Sequence, residues 1–211
     1  MIDTLSEWDG RYDSRSRGPV VFELIYYALA KKHFSQLFTG EDLVKAIVGE
    51  SHGRDILYDD LKSMNKEDYN SLLIESMGQI TEPFQKFKTW GDMHQMRVAH
   101  MLANVPVLGK KWIFEQYPVS GGNETLFKTN ARTGSKKSYA FYGACARYIS
   151  DMSDPDENYF VLFGGQDGWM TSPQTLDQVP LWKSGKYIRF PLRLKTIQKE
   201  FKKVVTLSPK D

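Results

Sequence analysis

The 211-residue chain has a single cysteine, Cys145, so no disulfide can close within it and no thiolate-based metal cage can form. Histidine is also scarce. The four present are His33, His52, His94 and His100; His94 and His100 stand six apart, which is not the i, i+4 helical spacing of a zinc pair. No metal ligand set and no cofactor is therefore expected. Charge of one sign is lacking too: 28 Lys and Arg balance 26 Asp and Glu, both signs are interspersed, and the net charge is +2. That removes the electrostatic basis for a nucleic-acid partner. Without a run of about 18 apolar residues, no membrane-spanning helix is expected, and no membrane partner. The first residues, Met1 to Glu7, have neither the basic start nor the apolar stretch of a signal peptide.

What is present suits a folded protein. Hydrophobic residues at 41% and aromatics at 13% can supply a core, and charged residues at 26% are too few and too mixed for a disordered chain. The length fits a single domain over residues 1–211, with 1–89 mainly helical and 90–211 mainly strands.

In the first part, Pro19 is placed for a first helical turn. Val20, Val21, Leu24, Ile25, Ala28 and Leu29 then repeat at helical spacing, predicting a helix to about Leu37. Thr39 is the expected N-cap of a second helix carrying Leu43, Val44, Ile47 and Val48. Asn65 is the expected cap of a third, running towards Phe87 with a kink or stop before Pro83. In the second part, Tyr139 to Met152 is rich in aromatic and β-branched residues, as strands are. Tyr159 to Phe163 reads as a fully buried strand, and Pro173 to Trp182 as a short helix capped by Ser172. Tyr187 to Pro191 alternates like a strand, and Leu194, Ile197, Phe201 and Val205 suit a helix. Helices followed by strands give an α+β fold.

Four segments carry chemical potential. Asp151 to Glu157 concentrates carboxylates at 151, 154, 156 and 157 but fails the calcium-loop pattern, which leaves a polar turn between strands. Gly164-Gly165-Gln166-Asp167-Gly168 has no phosphate-loop spacing and reads as a hairpin or bulge. Gly121-Gly122-Asn123-Glu124-Thr125 is either a cleft-lining loop or a turn. Cys145, between Tyr142 and Tyr148, is expected to be a buried structural thiol. No Gly-x-Ser-x-Gly elbow exists.

Five ordered segments together resemble the large subunit of the penicillin acylase (penicillin amidase) family, to which acyl-homoserine-lactone acylases are related. They are Trp8-Asp9-Gly10; Trp90-Gly91-Asp92-Met93-His94 with His100; Pro118 to Thr125; Gly143 with Arg147 and Asp151; and Gly165-Gln166-Asp167-Gly168 with Ser172-Pro173, Asp177-Gln178, Trp182 and Gly185. Met101, Asp167 and Gln174 stand where the family usually has Pro, Ser and His. The resemblance implies part of an αββα N-terminal-nucleophile hydrolase sandwich with mostly antiparallel strands. It implies an amide hydrolase whose amino-terminal Ser attacks an N-acyl amide, its own α-amino group acting as base. Residue 1 here is Met. The chain is thus expected to be a C-terminal segment of the large subunit, inactive alone, with the nucleophile outside it and Asp151 as the one supporting acid. The alternative is a stand-alone binding module that kept the fold without the chemistry. The implied partners are the rest of the acylase precursor (small subunit and N-terminal part of the large subunit) and, in the parent, an N-acyl amide substrate. Exposed sheet edges would favour a homo-oligomer, and a bacterial parent would be periplasmic.

Overall fold

A computed structural model describes residues 1–49 and 51–209 of the chain. They cluster into two compact units, Met1–Gly143 and Ala144–Asp211. The fold is α+β, with helices leading and sheets following.

The first unit is organised around one long helix. After the short α1 (Ile2–Ser6), α2 (Gly18–Leu37) opens with Pro19 in its first turn, as expected. Its buried residues run round the whole helix, which marks a central rather than a surface element. One side, with Tyr26, Leu29, Ala30 and Phe34, packs on Val44 and Val48 of α3 (Glu41–Gly49), Leu57 of α4 (Ser51–Ser63) and Leu72 of α5 (Lys66–Gln79). The other side, with Val20, Leu24 and Ala28, meets Ile80, Phe87, Trp90 and Met93. These last residues flank or belong to α6 (Thr81–Lys86) and α7 (Trp90–Met93).

Helix ends follow local chemistry. Asn65 caps α5 as expected, its side chain accepting from the Asp68 amide at 2.9 Å. Thr39 does not cap α3. The chain reverses through Gly40 at φ +116°, a conformation that glycine alone adopts readily, so the helix begins at Glu41. The break near Pro83 falls earlier, at Ile80, whose buried side chain belongs to the core; Pro83 then sits in the first turn of α6. Helix α4 left little trace in the sequence, because Arg54, Asp55, Asp59, Asp60 and Lys62 surround its one fully buried apolar residue, Leu57.

Strand β1 (His94–Ala99) leaves α7 directly and lies between β2 (Ile113–Pro118), antiparallel to it, and β4 (Ser138–Ala140), parallel to it. A small antiparallel pair joins β3 (Thr129–Asn130) to β5 (Tyr142–Gly143).

In the second unit, β6 (Ala146–Ser150), β7 (Asn158–Leu162) and β8 (Ile188–Arg189) form an antiparallel sheet in that order. Its β6–β7 turn contains the acidic stretch, closed by an Asp151 amide bond to the Glu157 carbonyl at 2.9 Å. Val161 is fully buried, but its neighbours on β7 are only half-buried, because a three-stranded sheet leaves part of that strand accessible. Cys145 is exposed, against expectation: it precedes β6 outside the ladder, where its carbonyl accepts from the Phe163 amide at 2.6 Å. The helix expected from Pro173 is a run of turns, and α8 spans only Val179–Lys183. The reason lies at Gln178, whose amide donates to the Gly164 carbonyl at 3.0 Å and whose side-chain oxygen accepts from the Leu162 amide at 2.9 Å. Those bonds tie residues 173–178 to the end of β7.

Helix α9 (Leu194–Glu200) is fastened to the acidic turn by Asp156. This buried carboxylate accepts from the amides of Leu192 (3.0 Å) and Arg193 (2.7 Å) and from the Thr196 hydroxyl (2.6 Å). The Thr196 hydroxyl first, then the Arg193 and Leu192 donors, hold its carboxyl down at about 2. A lowered acid pKa contributes stability that is fully present above the ordinary value of 3.8 and lost as pH falls towards 2. In acid titration, unit two should lose the α9 contact between those limits, and Asp156→Asn should flatten that dependence. An unchanged acid limb in the variant, followed by chemical shifts of α9, would show that Asp156 does not hold it.

Candidate functional site

Three of the recurring segments, far apart in sequence, meet inside the first unit. Trp8 lies edge-on to Tyr12 at 5.4 Å, and Tyr12 lies edge-on to Trp90 at 5.4 Å. Trp90 in turn stacks on His94 at 4.6 Å with 14° between the planes. The order of the ladder follows from local structure. Thr89 and Asp92 form a reciprocal capping box at the start of α7, fixing Trp90 at its first residue. One helical turn then places His94 under the Trp90 ring as β1 begins.

The ladder holds the Gly121–Gly122 loop. The Trp90 indole N–H donates to the Gly121 carbonyl at 2.7 Å, and the Gly121 amide donates to the Tyr12 carbonyl at 2.8 Å. The Ser14 amide reaches the Ser120 hydroxyl at 2.9 Å. Gly121 adopts φ +86°, and a Cβ there would lie 2.0 Å from the Phe127 carbonyl oxygen, so only glycine fits. Beyond it the Gly122 amide donates to the Thr125 hydroxyl at 2.9 Å. Asn123 clasps Ala131, accepting from its amide at 2.9 Å and donating to its carbonyl at 3.2 Å. The loop is therefore a rigid, largely buried turn of hydrogen-bonded backbone, with Gly121 and Gly122 covered and Asn123 half-buried.

A buried ionic group lies beside it. Glu23 of α2 accepts from the Tyr12 hydroxyl at 2.7 Å and pairs with Arg54 of α4 at 2.7 Å. Arg54 also covers the Tyr26 ring at 4.0 Å. Burial, reinforced by Glu23, pushes the Tyr12 hydroxyl pKa well up, so Tyr12 remains a donor. Burial works against the Arg54 charge, and the Glu23 carboxylate outweighs it, so the Arg54 pKa rises. Removing either partner would strand a buried charge, at a cost of roughly 3–5 kcal/mol.

His94 is 1% exposed. Its Nε2 lies 3.0 Å from the hydroxyl of the fully buried Thr129, which also reaches the Ser120 carbonyl at 3.0 Å. Burial lowers the His94 pKa to about 4. His100 is engaged separately, its Nδ1 accepting from the Leu102 amide at 3.2 Å.

The imidazole and the hydroxyl nearest each other in this constellation, His94 and Thr129, are both buried. Among the described residues, none of the serine hydroxyl hydrogen bonds goes to a histidine, and the Thr129 hydroxyl beside His94 is sealed from solvent. No cluster of three or more metal-ligating side chains occurs among the described residues, and no helix among them is long and apolar enough to cross a membrane. Asp151 lies in the exposed β6–β7 turn of the second unit, where its carboxylate accepts from the Ser153 amide (2.9 Å) and hydroxyl (2.7 Å), which lower its pKa.

Tyr12, Glu23, Arg54 and Thr129 were not singled out from sequence. Glu23 did leave a signal, the one acid in the apolar stretch from Val20 to Ala30. Thr129 and Arg54 left none, because their partners are remote in the chain.

The penicillin amidase family model matches residues 1–199, and the chain belongs to that family. The penicillin acylase 2 proenzyme of Pseudomonas sp. (strain SE83) is 24% identical to it over 195 residues, covering 86% of this chain and 25% of the relative. The chain therefore spans about a quarter of the length of this curated relative.

The neutral His94 sets a pH dependence. A base whose folded pKa is lowered binds protons more readily when unfolded, so stability of the first unit should be flat above 6.5 and fall between 6.5 and about 4. The loss should reach roughly 3 kcal/mol at the acid end of that window. Denaturant unfolding from pH 7 to 4 should show it, and His94→Gln should remove most of the slope. A variant with the same slope would place the titration elsewhere.

Proposed function

We propose that these residues form a segment of an N-acyl amide hydrolase that builds part of the substrate cleft, with the nucleophile supplied from outside the segment. The observation that carries this reading is the penicillin amidase match across residues 1–199. The Gly121–Asn123 turn supports it, its buried, hydrogen-bonded glycines giving the half-buried Asn123 a fixed place. The arrangement of His94 and Thr129 supports the second half, since the imidazole–hydroxyl pair is buried and inaccessible to an amide.

In this reading the parent is an N-terminal-nucleophile hydrolase, and the sheets of this chain are completed by the rest of the precursor. Both β6 and β2 are the outer strands of their sheets here. Such edges pair with further strands, or with another copy when the chain is alone. Asp151 is the acid proposed to support the reaction, its exposed carboxylate being free to face another segment. A bacterial parent of this kind would work in the periplasm.

The chain alone should release no product from N-acyl chromogenic amides and should bind them weakly or not at all. Turnover at enzyme-like rates, abolished by changing one of its own Ser or Asp residues, would overturn the proposal. Tight binding without turnover would instead favour a binding module.

A further inference from the structure

The ring of His94 has two nitrogens with different fates. Nε2 faces the Thr129 hydroxyl at 3.0 Å, and that hydroxyl lies equally close to the Ser120 carbonyl. A carbonyl can only accept, so the single Thr129 proton satisfies Ser120. Nε2 must then carry the ring proton and donate to the Thr129 oxygen. Burial keeps the ring neutral at ordinary pH, so Nδ1 presents a bare lone pair. That atom is buried and has no hydrogen-bond partner among the described residues.

Beside the ring lies a cavity of about 20 Å³. Its wall is mixed: His94, Glu23, Asn123, Thr133 and Ser138 bring polar groups, beside the apolar Met93 and Ala131. Its size accommodates about one water molecule, which needs about 10–15 Å³ of such space and two to four polar partners. Apolar cavities of this kind stay dry; polar ones do not.

We propose that this cavity is a binding site for one small neutral hydrogen-bond donor, a single water in the resting protein, that donates to Nδ1 of His94. Its second proton goes to another acceptor of the lining. Glu23 suits that role, because each carboxylate oxygen keeps a further lone pair after serving Tyr12 and Arg54. The hydroxyls of Thr133 and Ser138 can donate to its oxygen. A cation is disfavoured here, since Arg54 already balances Glu23 and Arg132 also lines the space. The bound water thus joins β1 to α2, completing by solvent a network that the side chains leave open at one atom. This site is independent of the hydrolase reading.

Two measurements on the unaltered chain test it. Long-range nitrogen–proton correlation at pH 7 should show His94 as the neutral Nε2–H tautomer. A high-resolution crystal structure should show one ordered solvent peak within about 3.2 Å of Nδ1. A ring protonated at Nδ1, or a cavity empty at high resolution, would overturn the proposal.

Discussion

The first unit depends on one constraint: the Trp90 indole must reach the Gly121 carbonyl while its ring is held by two aromatic neighbours. Tyr12 meets it edge-on and His94 stacks on it. The capping box at Thr89 and Asp92 sets the ring's position, and the left-handed turn at Gly121 presents the carbonyl. Neither would matter alone. Together they fasten a turn of irregular backbone to the helical core, because Trp90 also packs with Val20, Leu24 and Ala28.

The buried polar groups around that contact follow from the same requirement. An irregular loop carries amides and carbonyls that no ladder satisfies, so each must find a partner or be left at a cost. Tyr12, Ser14, Thr125, Asn123 and Thr129 supply most of those partners. Glu23 and Arg54 in turn tie Tyr12 into the helices. The result is a turn whose backbone is ordered and largely buried by the protein's own side chains.

How much of this was legible in the sequence varied with the range of the interaction. Helix α2, the Asn65 cap and the order of helices before strands were readable because apolar spacing and capping are local. The α3 start was not, because it turned on the φ of Gly40. Cys145 and the segment from Pro173 were misread because apolar or Pro-led context says nothing of whether a ladder or a remote side chain such as Gln178 claims the backbone. At the candidate site the motif residues Trp8, Trp90, His94 and Gly121 were visible as a family resemblance, yet their convergence was not. The residues joining them, Tyr12, Glu23, Arg54 and Thr129, act across separations of 11 to 35 residues, where one sequence holds no pairing signal. The penicillin amidase membership and the α+β architecture were both anticipated; the division into two compact units was not.

The most direct test of the central contact is amide exchange in Trp90→Phe, which keeps an aromatic ring of smaller size and removes the indole donor. The Gly121 carbonyl would be left buried and unpaired, a loss of about 1–3 kcal/mol. The account predicts that the Gly121 and Thr129 amides exchange roughly 5- to 150-fold faster while amides in the middle of α2 keep their protection. Unchanged exchange at Gly121 and Thr129 would show that the loop is held by something other than Trp90.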